Sequence, residues 1–111
     1  MLKLGDYSKC SDEDVVQDIV SSYCVNLDLV SKFEILIAQL NGDGGYEESS
    51  FFLLRDKETG MLHENHASHC SCGGFEGQFE PKETTVTYLK SEHFYFYGDE
   101  MEQVKAFFET L

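Results

Sequence analysis

Three of the four histidines and two of the four cysteines of this 111-residue chain fall within the ten residues from His63 to Cys72. Imidazole nitrogen and thiolate sulfur are ligands that zinc prefers, so His66, His69, Cys70 and Cys72 make a chemically sensible metal set. The spacing argues the other way. Structural zinc motifs usually separate paired ligands by two or more residues, and Cys70 and Cys72 enclose only Ser71. On a continuing strand, alternation sends His69 to the face opposite Cys70 and Cys72. Only a turn near Ala67 or Ser71 could gather the four, and Gly73-Gly74 does not supply it. The competing reading is a strand end followed by a glycine-shaped loop. On that reading Cys70 and Cys72 fill small core spaces, and Glu76 and Gln78 pair with backbone groups or histidines to fix the loop. This second reading is the one expected, with no cofactor; zinc is the alternative.

Nucleophilic chemistry is weighed in the same way. His69 adjoins Cys70, but adjacent residues of a strand point apart, so His69 is badly placed as its base. His66 or His93 could approach only through the fold. No catalytic residue is assigned, and a non-enzymatic protein is expected; a thiol-dependent enzyme would instead require an unusually reactive Cys70 or Cys72. The run Asn41-Gly42-Asp43-Gly44-Gly45-Tyr46-Glu47-Glu48 superficially suggests a calcium loop. Its first ligand would be Gln39 and its twelfth Ser50, where such a loop needs an acid and a bidentate glutamate. A hairpin loop is expected there.

The elements that must position these residues are readable in outline. Ser11 is expected to cap a helix from Asp12 to about Tyr23, with Asp12, Glu13 and Asp14 in its first turn, where negative charge complements the helix dipole. Val15, Val16, Ile19, Val20 and Tyr23 form its apolar stripe, and Cys24 at its end is expected to pack as a small hydrophobe. The first ten residues read as a partly ordered lead-in. Phe33–Leu40 and Phe51–Asp56 are expected to be strands, and a third is expected to begin at Met61 after a turn at Lys57-Glu58-Thr59-Gly60. Pro81 and Glu83 suggest a short helix through Leu89, whereas Thr84, Thr85, Val86 and Thr87 argue for an extended segment. Phe94-Tyr95-Phe96-Tyr97 is expected to add a fourth strand. Asp99 with Glu102 resembles a capping box opening a terminal helix, with Met101, Val104, Phe107, Phe108 and Leu111 facing the core. The expected fold is a single α+β domain over residues 1–111: a three- to four-stranded antiparallel sheet with an N-terminal and a C-terminal helix packed on it.

Composition bounds the partners. Hydrophobic residues make up 41%, with nine Phe and six Tyr, enough for one modest core. Twenty-one acids against eight bases leave a net charge of −13, which repels phosphate backbones and anionic membranes. Neither nucleic acid nor membrane is therefore expected as a partner. The charge is that of a solvated surface or of one that docks on a basic protein. Met1-Leu2-Lys3-Leu4-Gly5-Asp6 has no apolar signal region, so a cytoplasmic location is expected, with cysteines kept out of stable disulfides.

The run His69-Cys70-Ser71-Cys72-Gly73-Gly74-Phe75-Glu76-Gly77-Gln78-Phe79, continued by Glu80-Pro81-Lys82-Glu83-Thr84-Thr85, resembles a group of small, largely uncharacterised bacteriophage and prophage proteins. In that group an HCSC run is followed by glycine, leucine or phenylalanine, EGQ and an aromatic, then by a Pro-Glu-Thr stretch. The resemblance covers residues 33–90. Gly73 stands where an aromatic is often found, and Phe79 replaces a frequent tryptophan. Cys70, Cys72, Gly73, Glu76, Gly77, Gln78 and Phe79 thus read as a structural signature. The resemblance implies a viral origin and, by analogy, an inhibitor of a host or defence protein acting by protein–protein contact.

Overall fold

The computed structural model describes residues 1–42 and 47–111. It is an α+β fold built on one five-stranded mixed sheet, in spatial order β1-β2-β3-β4-β5. The strands are β1 Leu2–Gly5, β2 Phe33–Gly42, β3 Glu48–Asp56, β4 Leu62–His69 and β5 Lys82–Glu83. The helices are α1 Asp12–Ser22, α2 Leu27–Val30, α3 Val86–Leu89 and α4 Met101–Phe108.

Strands β2, β3 and β4 form the expected antiparallel meander, with Ala38 opposite Phe52 and Phe52 opposite Asn65. The hairpin expected between β2 and β3 falls partly on residues 43–46, outside the described residues. The sheet is larger than expected and not wholly antiparallel. The N-terminal segment is no loose lead-in: β1 runs parallel to β2, with Leu2 opposite Ile37 and Gly5 opposite Leu40. A parallel neighbour cannot be reached by a tight turn, and α1 and α2 make the crossover. A short 3-10 turn, Asp6–Lys9, follows β1 and buries Tyr7. Gly5 adopts φ 65, and a Cβ there would overlap the Leu40 carbonyl, so this passage requires glycine.

Both faces of the sheet are covered. On β3, Phe52 and Leu54 join a core with Val15, Ile19 and Tyr23 of α1 and Val30 of α2. Phe51 and Leu53 point the other way, into a second core with Leu89 of α3, Val104 and Phe108 of α4, and Phe94 and Phe96. A strand buried on both sides must be apolar without alternation, which accounts for Phe51-Phe52-Leu53-Leu54. On β2 the pairing shifts between Ile35 and Ile37, a bulge that puts Leu36 and Ile37 into the same core.

Local signals hold at α1: Ser11 accepts from the Asp14 amide and Asp14 reaches back, closing a capping box. Cys24 is not packed but exposed, at φ 54, because the chain leaves α1 through a left-handed residue whose side chain is directed outward. Thr85 resolves the ambiguity after Pro81, since β5 ends at Glu83 and Thr85 caps α3 by accepting from the Tyr88 amide. Phe94-Tyr95-Phe96-Tyr97 is not a strand. It lies across the sheet's face, with the Phe94 and Phe96 rings 5.4 and 5.2 Å from the Phe51 ring. Helix α4 is capped at Glu100 rather than Asp99 and without a side-chain cap, the Glu100 carboxylate being engaged by the Asn41 amide at 3.2 Å.

Candidate functional site

Strand β4 carries the histidines in strict alternation. Ala67 belongs to the α1 core, and His69 shares its face, its ring edge-to-face with Phe75 at 4.6 Å between ring centroids. His66 points to the other face, 5.0 Å from Phe51 and 6.0 Å from Phe94, with Nε2 2.7 Å from the Glu64 carboxylate. His66 and His69 therefore do not converge. His63 packs against Phe33 at 5.2 Å.

Beyond His69 the chain turns. The Gly73 amide donates to the Cys70 carbonyl at 3.3 Å, closing a turn centred on Ser71 and Cys72. That turn, unforeseen in the glycine spacing, brings Cys70 Sγ and Cys72 Sγ to 2.7 Å. Both cysteines are exposed rather than filling core spaces, because the turn lifts them off the end of the sheet. The two thiols share a hydrogen bond in which either sulfur can donate, and it holds the Cys70 thiol below the usual cysteine range and pushes Cys72 up. Of the four zinc candidates, the structure joins these two and leaves His66 apart. Among the described residues no group of three or more His, Cys, Asp or Glu is arranged to hold a metal.

His69 is held at both nitrogens. Nδ1 lies 2.9 Å from the Cys70 carbonyl and Nε2 2.9 Å from the Glu48 carboxylate, its partner across the β3–β4 ladder. Both are acceptors, so only the doubly protonated ring satisfies both, and in this arrangement neither nitrogen offers a lone pair to a metal. The Cys70 carbonyl first, and Glu48 after it, raise the His69 pKa above its ordinary 6.5 against the opposing effect of burial. A pKa raised by folding stabilises the fold fully below the unfolded value and ceases to do so as pH rises through the folded one. The stability advantage over His69→Gln is thus expected to be largest below pH 6.5 and to shrink above it. Urea midpoints of the two proteins from about pH 5 to about pH 9 check this; a difference independent of pH would contradict it.

The loop after the turn is pinned by its own signature residues. Gln78 Oε1 accepts from the Ser68 amide at 2.9 Å and Gln78 Nε2 donates to the Gly74 carbonyl at 3.0 Å. Phe75 and Phe79 are buried, stacked and edge-on against Tyr23 respectively. Gly77, at φ 76, makes the bend between them. Sequence reasoning missed Asn65, which is buried at the centre of this arrangement. It donates to the Gln78 carbonyl at 3.1 Å and accepts from the Glu80 amide at 2.7 Å. A lone polar residue at an inward strand position was the only signal for it.

Compared with protein-family models, with curated proteins and with solved structures, the chain has no match. The site must therefore be read from its own surface. At this end of the sheet an open groove of about 1030 Å3 runs between β3, β4 and the segment after Phe94. Glu47, Glu48 and Asp99 line it with Ser49, Ser68 and His69, and the described lining residues include no lysine or arginine. Tyr95 and Tyr97 border it with 66% and 75% of their surface exposed, unusual for rings whose neighbours Phe94 and Phe96 are core. No helix among the described residues is long and apolar enough to cross a membrane.

Proposed function

We propose that this chain is a small acidic, non-enzymatic binding protein that docks on a basic protein, in the manner of a phage-encoded inhibitor of a host or defence protein. The observation that carries the reading is the groove where exposed Tyr95 and Tyr97 stand beside Glu47, Glu48 and Asp99. Tyrosine offers a broad apolar face with a polar tip at low conformational cost, and tyrosines concentrate binding energy at protein interfaces. Clustered carboxylates on a chain of net charge −13 steer a cationic partner toward that face and turn nucleic acid and anionic membranes away. The phage assignment rests on the resemblance over residues 33–90 alone, with the His69–Phe79 run at its core.

The test is capture from a bacterial lysate across a salt series, with a Tyr95→Ala, Tyr97→Ala variant alongside. Both side chains are exposed, so the variant is expected to keep its fold, which circular dichroism checks. Retention of a partner that weakens with salt is expected. In the variant its affinity falls by about 30-fold, corresponding to roughly 2 kcal/mol for hot-spot tyrosines. No partner at low salt, or one indifferent to both salt and the tyrosines, would overturn the reading. Stoichiometric zinc in the purified protein, lost in a Cys70→Ser, Cys72→Ser double variant, would replace it with that of a small metal-binding domain.

A further inference from the structure

Cys70 also lines the acidic groove, and its pairing with Cys72 is placed for chemistry that docking does not use. Their sulfurs lie 2.7 Å apart on a hydrogen-bonded turn, both are exposed, and neither is packed into either core. Closing a bond between them would displace no buried side chain. Cys24 offers a comparison within the same chain, since it too is exposed but its sulfur donates to the Ser21 carbonyl at 3.7 Å and pairs with no second thiol among the described residues.

We propose that Cys70 and Cys72 are a thiol–disulfide exchange site, oxidised to an intrachain disulfide by low-molecular-weight disulfides, cationic ones in preference to anionic ones. In the first step the Cys70 sulfur attacks one sulfur of the small disulfide. The S–S bond of that molecule breaks, and one half departs as a thiol carrying the proton that Cys70 gives up. In the second step the Cys72 sulfur attacks Cys70 Sγ in the mixed disulfide and releases the other half as a thiol with the Cys72 proton. The two protein thiols lose two electrons, and the small disulfide gains them. The turn supplies the second step, because the attacking sulfur is already beside its target.

The charge preference follows from the surroundings. Glu47 acts electrostatically on Cys70, the Glu76 carboxylate lies against Gly74, and the chain as a whole carries −13. A dication is concentrated at such a surface and a dianion is excluded.

The experiment treats the reduced full-length chain with cystamine or with glutathione disulfide, quenches in acid, alkylates the remaining thiols and maps the peptides by mass. The expected product is a Cys70–Cys72 disulfide free of adduct, while Cys24 in the same sample carries a mixed disulfide. Cystamine should react about tenfold faster than glutathione disulfide at low salt, and high salt should close the gap. The Cys72→Ser variant should stop at a mixed disulfide on Cys70. Adducts retained on both Cys70 and Cys72, or both thiols still free once Cys24 is converted, would overturn the exchange site. Equal rates for the two reagents at low salt would overturn the preference for cations. The wild-type map decides the first question even if a variant fails to fold.

Discussion

Phe51→Ala and Phe52→Ala are each expected to destabilise the fold by about 3–5 kcal/mol, although the two residues are neighbours and point in opposite directions. Both are fully buried. Phe52 lies 6.0 Å from Tyr7, 5.9 Å from Tyr23 and 6.4 Å from Phe79 by ring centroids, in the core under α1. Phe51 lies against Phe94, Phe96 and His66 in the core under α3 and α4. Truncation removes the transfer energy of the ring and leaves a cavity, since aromatic neighbours on a central strand cannot collapse into the space. In a sheet with one solvated face, one of the two would be a surface substitution worth less than about 0.5 kcal/mol. Urea denaturation of both variants measures this directly. Losses of similar size establish two cores, and a small loss at either position would refute the three-layer arrangement. Against a total stability of about 5–15 kcal/mol for an ordinary domain, either loss is a large fraction.

The second large effect is expected at Asn65. Asn65→Ala removes one donor and one acceptor at once and strands the Gln78 carbonyl and the Glu80 amide. An unmade hydrogen bond at a part-buried group costs about 1–3 kcal/mol, so a loss of about 2–3 kcal/mol is expected for the pair. The loss should be local as well as global. The Ser68 and Glu80 amides should exchange hydrogen faster, because the 70–81 loop is tied to β4 chiefly through Asn65 and Gln78. Asn65→Asp separates the two bonds. Its carboxylate still accepts from Glu80, but it faces the Gln78 carbonyl with no hydrogen to give. Asn65→Asp should therefore be worse at neutral pH than near pH 3, where a protonated acid can donate again. Unfolding and amide exchange unchanged in Asn65→Ala would mean that the loop is held elsewhere.

The two predictions bear on how the site is kept. The turn carrying Cys70 and Cys72 and the wall of the acidic groove both hang from the end of β4. Asn65, Gln78 and the His69–Glu48 pair are what fasten that end. The Glu76-Gly77-Gln78 run is thus explained in part as a device for holding a loop, with Gln78 spending both ends of its amide on backbone groups.

Residue type and spacing by themselves determined the helix from Asp12 with its Ser11 cap, the meander of three antiparallel strands, and the terminal helix with Val104 and Phe108 inward. These are local matters: periodicity, capping and turn chemistry act over a few residues and are written where they act. Tertiary structure alone decided what each element lies beside. The residues Leu2–Gly5 carry no mark that they will pair with a strand more than thirty residues away, and only β2's open edge makes them β1. Phe94 and Phe96 alternate with Tyr95 and Tyr97 as in a strand, yet the same alternation arises when an irregular segment lies over Phe51. The His/Cys run shows the same division. Alternation along β4 parts His66 from His69, as it must on any strand. A turn at Ser71 and Cys72, set by how the chain leaves the sheet, sends two cysteines to the surface as a pair.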